Sequence, residues 1–133
     1  LGMVKVLKIA AAHDVGKVVN PRLCEGQVEG GVLMGVGYAL REEMTYEEGK
    51  GFYNDGIHKY MLPTADDRPE IVSILVESND TAGVYGIKGI GEVGVCPTLP
   101  AILSAVEDAI GIRFEVAPLT PGRVLAGIKA AGL

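Results

Sequence analysis

The stretch "GIGEVG", Gly89 to Gly94, decides which fold this sequence describes. It fits G-x-G-x-x-G, the phosphate-binding turn of a dinucleotide fold, which would make the chain a doubly wound parallel sheet. Nineteen glycines in 133 residues can supply that spacing without any ligand. Such a turn must leave a buried strand directly and open a helix whose N-terminus holds the pyrophosphate. Here the strand-like run upstream, "IVSILVES" (Ile71 to Ser78), is separated from the glycines by "NDTAGVYGIK". Downstream, Cys96 and Pro97 precede any helical pattern. Glu92 also puts a carboxylate where phosphate would sit, which repels it. A pyridine-nucleotide site therefore rests on spacing alone. The chain reads as α+β, and the loop as one that presents a glutamate.

Outward from the loop, "CPTLPAILSAVEDAIG" predicts an amphipathic helix with Pro97 at its start and Gly111 as its stop. Leu99, Ile102, Val106 and Ala109/Ile110 form its apolar stripe. "RFEVAPLT" reads as a short strand or extended piece, and "TPGRVLAGIKAAG" as a helix capped by Thr120. Towards the N-terminus, Val4 to Ala12 alternates as a strand does. Asn20 followed by Pro21 starts a helix that runs to about Arg41. That helix holds Gly26, Gly30, Gly31, Gly35 and Gly37, each costing ~1 kcal/mol against alanine. Only close tertiary packing offsets such a cost. Helical spacing puts Gly26, Gly30 and Gly37 on one bare stripe, fit for a backbone or a flat ligand. A second face carries Leu23, Gln27, Gly31, Met34 and Tyr38. With apolar residues nearly all round, the helix is predicted to be buried, and Gln27 to need polar partners. The expectation is a single domain over residues 1–133, with mixed short strands and three helices.

Twelve basic and seventeen acidic residues leave a net charge of −5, which argues against nucleic acid and anionic membranes as partners. No apolar run reaches the ~18 residues of a membrane span. Cys24 and Cys96 have neither metal-ligand spacing nor the look of a disulfide framework, so a cytoplasmic setting is expected and no metal ligand is assigned. The absence of an initiator Met reads as a fragment cut from something longer. Glu92 is the strongest chemical candidate. Gly91 and Gly94 clear the space beside it, and the helix N-terminus at Pro97 and Lys88 both favour its ionised form. The bland alternative is a glutamate that merely satisfies orphan helix N–H groups. His13–Asp14 reads as a turn, Cys96 and Cys24 as packing residues, and His58 as unpartnered.

Together, "HDVGKVVNPRLCEGQVEGGVLMGVGYALREE", "YMLPTADDRPEI", "KGIGEVGVCPTLPAILSAVEDAIG" and "PLTPGRVL" resemble the C-terminal end of the molybdenum hydroxylases. This is the xanthine dehydrogenase and aldehyde oxidase family, in its molybdopterin-binding large subunit. The four motifs stand in the family's order and cover nearly the whole chain. The resemblance implies hydroxylation of a carbon of an aldehyde or N-heterocycle, with oxygen taken from water. It implies a molybdenum–molybdopterin cofactor, in bacteria commonly a dinucleotide such as the cytosine form. In such enzymes the glutamate of the G-x-G-E loop takes a proton from the hydroxyl at molybdenum; here that glutamate is Glu92. The glutamine of "GQVEGG", here Gln27, belongs to the pterin-contacting groups, and Gly91 makes room for the cofactor. The implied partners are the remainder of the large subunit, iron–sulfur and FAD domains or subunits, and a small-molecule substrate. Two cysteines cannot hold an iron–sulfur cluster, so those centres are expected elsewhere. The chain alone is expected to be inactive and to form a homo-oligomer. The competing reading is a non-catalytic ligand-binding or assembly module of the same fold.

Overall fold

Residues 1–133 are described by a computed structural model. Two strands, β1 (Lys8–Asp14) and β4 (Glu70–Val76), pair in parallel from Lys8 opposite Glu70 to Asp14 opposite Val76. The predicted strand begins at Val4, four residues too early. Pairing starts at the Glu70 N–H, which donates to the Leu7 carbonyl at 2.9 Å. The residue before it is Pro69, which has no N–H to extend the ladder.

Between the two strands the chain forms α1 (Pro21–Leu40), a small hairpin of β2 (Tyr46–Glu47) with β3 (Gly51–Phe52), and the one-turn helix α2 (Ile57–Tyr60). After β4 come α3 (Thr98–Ile110) and α4 (Pro121–Ala130). The three predicted helices are all present, and their caps work as the sequence implies. Asn20 Oδ1 accepts the Leu23 N–H at 3.1 Å, Gly111 closes α3 at φ +70°, and Thr120 Oγ1 accepts the Arg123 N–H at 3.4 Å. "RFEVAPLT" makes no strand. It runs as an extended piece whose Leu119 donates its N–H to the Ala39 carbonyl and is 1% exposed.

Alternation along β1 and β4 turns Ile9, Ala11, Ile71 and Leu75 towards Val28 and Val32 of α1. Val36 and Ala39 continue the same side of α1 onto Ile102 of α3, and Val106, Leu119 and Val124 join α3 to α4. Full burial of an aliphatic side chain is worth roughly 1.5–3 kcal/mol, so these contacts offset the glycine cost of α1.

Two glycines decide how closely α1 can pass its neighbours. A Cβ on Gly31 would stand 3.1 Å from Gly94 Cα, and one on Gly35 would stand 2.5 Å from Thr98 Cβ. Only residues without a side chain permit that approach. The predicted stripe is thereby corrected. Gly37 is packed against Glu42 and Pro63, but Gly26 and Gly30 face open space. The expected all-round burial of α1 is also corrected, since Leu23, Met34 and Tyr38 lie exposed on its outer side. The far face of the β1–β4 pair is equally bare, with Ile74 and Val76 nearly half exposed. No helix is long and apolar enough to cross a membrane.

Candidate functional site

Glu92 sits in the long connection between β4 and α3, which makes a short 3₁₀ turn at Val84–Gly86 and hydrogen-bonded turns just before α3. Three anchors fix the connection around it. The Lys88 N–H donates to the Val15 carbonyl at 3.0 Å, and Ile90 packs against the cluster of Ala11, Val28 and Val32. On the other side, Thr98 Oγ1 donates to the Gly94 carbonyl at 2.9 Å. Glu92 itself is exposed, and its carboxylate enters none of the chain's ion pairs. The start of α3 receives no side-chain cap, so Glu92 is not spent on orphan helix N–H groups.

Lys88 does not hold Glu92. Its ammonium lies 2.5 Å from Asp14 Oδ2 and 3.9 Å from Asp80 Oδ2. Asp14 Oδ1 in turn accepts the Gly16 N–H at 2.9 Å and the Ser78 hydroxyl at 2.8 Å. The Lys88 hydrogen bond, followed by those from Gly16 and Ser78, holds the Asp14 carboxyl well below the usual carboxylate range. The same hydrogen bond raises Lys88 above the ordinary lysine value. The predicted turn at His13–Asp14 is thus the end of β1 together with a charged junction.

Gln27 is exposed, not buried among apolar side chains as its helix position predicts. The physical reason is that α1 turns Val28, Val32 and Val36 inward and leaves the Leu23–Gln27–Met34–Tyr38 side uncovered. Bare backbone surrounds both polar groups. A Cβ built on Gly26, Gly30, Gly89 or Gly91 would meet nothing within 4 Å. Gly94 differs from Gly91, because a Cβ there would come 3.3 Å from the Val28 carbonyl. Of the two glycines flanking Glu92, only Gly91 is open; Gly94 serves packing. That packing contact joins the two halves of the site, since Gln27 adjoins Val28 and Glu92 lies two residues before Gly94.

A cleft of about 440 Å³ opens beside Gly30 and runs past Met34 and Tyr38 to Glu42 and Tyr60. Partial burial pushes the Glu42 carboxyl up, against the pull of its hydrogen bond with Tyr60. Sequence reading passes over Glu42, because nothing local says that Tyr60 returns to it. It reads His13 as part of a turn and passes over Ser73, whereas His13 Nε2 and Ser73 Oγ are buried without hydrogen-bond partners. Strand parity was the available signal, since both share the α1-facing side of the sheet with Ala11. Cys96 is exposed rather than packed, Cys24 is half-buried, and no three His, Cys, Asp or Glu side chains converge as metal ligands.

The site is thus an outward-facing surface of bare backbone with the free carboxylate of Glu92 and the exposed amide of Gln27. Comparison with known proteins decides what it belongs to. The family described as molybdopterin cofactor-binding domain matches residues 1–69, just over half of the 133. The chain belongs to that family. The matched residues of this molybdopterin cofactor-binding domain contain Gln27 and stop short of Glu92. Longer similarities span both. The putative xanthine dehydrogenase molybdenum-binding subunit of Escherichia coli is 40% identical over 131 residues, covering 98% of this chain and 17% of its own length. The nicotine 6-hydroxylase large subunit of Paenarthrobacter nicotinovorans is 33% identical over 132 residues, 96% of this chain and 16% of that one. Among solved structures, quinoline 2-oxidoreductase from Pseudomonas putida superposes with a TM-score of 0.87 at 30% identity, over 94% of this chain and 16% of that one. The chain therefore spans less than a fifth of the length of the relatives it matches.

The free groups fit a pterin cofactor. A flat, polar ring system needs backbone without side chains to lie against, which Gly26, Gly30 and Gly91 offer. An amide able to donate and accept suits such a ring system, and the exposed Gln27, next to Gly26 in the chain, has one.

Proposed function

We propose that this domain forms part of the active site of a molybdenum hydroxylase that oxidises a carbon of an aldehyde or N-heterocycle with oxygen from water. The observation that carries the reading is the exposed Glu92 carboxylate, unpaired within the chain and next to the open backbone of Gly91. When bound, molybdenum–molybdopterin, in its cytosine dinucleotide form in bacterial enzymes, supplies the two-electron acceptor. Glu92 takes a proton at a carboxylate oxygen as oxygen is transferred to the substrate. A positioned carboxylate does this well when nothing in its own chain competes for its lone pairs. Gln27 holds the pterin by hydrogen bonds, and the glycines on either side of it let the ring system reach the helix. Iron–sulfur and FAD centres on the rest of the assembly carry the electrons away, and the substrate enters from the side that the remaining large subunit builds. The setting is cytoplasmic.

The reading is tested on the complete enzyme purified with its cofactor. Given an aldehyde or N-heterocycle in water enriched in heavy oxygen, it should release product carrying that isotope. Unlabelled product would contradict water as the oxygen source, and no turnover with either substrate class would favour the binding-module alternative. Gln27→Leu is expected to lower molybdenum and pterin content together, because it leaves a cofactor group unpaired at about 1–3 kcal/mol. That corresponds to roughly 5–150-fold weaker retention, read by metal analysis and pterin fluorescence. Full occupancy with lost activity would contradict the cofactor-holding role.

A further inference from the structure

Asp14 meets three groups more than sixty residues further along the chain, at one point where β1, β4 and the glutamate loop converge. Asp14 closes β1, Ser78 follows β4, and Asp80 and Lys88 belong to the loop. Asp14 accepts three hydrogen bonds there, from Gly16 N–H, the Ser78 hydroxyl and the Lys88 ammonium. The backbone is tied across the same junction. Lys88 N–H donates to Val15, which is 2% exposed, and Asn79 N–H donates to Gly16 at 2.9 Å. Gly16 has φ +68° and lies so close to the Gly86 carbonyl that no side chain could replace its hydrogen. Lys88 is four residues before Glu92, and the stretch between them contains Gly89 and Gly91, each with open space around it. A loop made of such glycines transmits position only if its ends are fixed.

We infer that the Asp14–Lys88 pair is a latch that positions Glu92, fixing the upstream end of its loop together with the packed Ile90, while Gly94 against Gly31 fixes the downstream end. The inference rests on the reading of Glu92 as proton acceptor. The latch does not touch the reacting atoms; it sets where the carboxylate stands. Ion pairs this exposed contribute little to global stability, since Lys88 and Asp14 keep 35% and 38% of their side-chain surface. Geometry is more sensitive, because a misplacement of about 1 Å can cost on the order of 10²-fold in rate.

The test uses the complete enzyme loaded with cofactor. Asp14→Asn removes the charge but keeps the shape, and Lys88→Met removes the other partner. Both are expected to lower kcat by about 10–100-fold, with KM within about twofold. Molybdenum content should stay at the wild-type level, and amide exchange should quicken over residues 89–93. Lys88→Arg should restore kcat, since a guanidinium can still bond Asp14. Loss of molybdenum in proportion to the loss of kcat would overturn the latch, because a merely structural role does that. An unchanged kcat in Asp14→Asn, beside an inactive Glu92→Gln, would overturn the latch alone. Failure of the Glu92 reading looks different: Glu92→Gln would then turn over normally with exchange in the loop unchanged.

Discussion

Glu92→Gln in the complete enzyme is expected to lower kcat by about 10²–10⁴-fold, the range typical for loss of a positioned general base. Glutamine keeps the length and branching of the side chain and removes its basicity. The structure makes the variant a clean probe. The Glu92 side chain is exposed, belongs to no ion pair and does not cap α3, so no fold contact is lost with the charge. Changes at such positions usually shift stability by no more than about 0.5 kcal/mol. Molybdenum and pterin content should therefore match the wild type, as should the thermal midpoint. The residual rate should not recover as pH rises, because the amide has no proton-accepting form to populate. Near-normal kcat in a fully loaded Glu92→Gln enzyme would remove Glu92 from the chemistry.

The 133 residues expressed alone are expected to self-associate, to carry no molybdenum and to be inactive. The surface area is the reason. The chain exposes 8818 Å², whereas a folded monomer of its mass should expose roughly 6,700 Å². The excess is more than the roughly 800 Å² that one partner contributes to a standard interface. Much of it is apolar. A groove of about 730 Å³ runs between the N-terminal residues up to Ala10 and the sides of α3 and α4, with Ala101, Ala105 and Ala109 along one wall. The uncovered face of the β1–β4 pair adds to it, since parallel strands are ordinarily covered on both sides. A second copy can cover such surface, and a two-fold dimer is the commonest closed arrangement. Light scattering that gives a monomer at micromolar concentration would refute the association. Stoichiometric molybdenum in the isolated chain would show that these residues hold the cofactor without the rest of the subunit.

Local chemistry alone was enough to set the helices. The Asn20–Pro21 start, the Thr120 cap and the Gly111 stop act within one turn of chain, so their meaning survives any tertiary arrangement. The rejection of a dinucleotide turn was also local, because strand, glycines and helix must follow one another directly. Glu92 and Gly91 could be singled out for the same reason, as a carboxylate among small residues. Tertiary structure decided everything that depends on which side of an element meets a neighbour. Helical spacing grouped Gly26 with Gly30 and Gly37, but it was α3 and the loop that selected Gly31 and Gly35 for close passage. Gln27 reads as buried only if the helix is covered all round, and the chain covers one side of it. Lys88 lies four residues from Glu92 and 74 from Asp14, yet it pairs with Asp14. Sequence spacing limits reach only along a regular element; in a glycine loop, the strand ends packed against it decide where a charge goes.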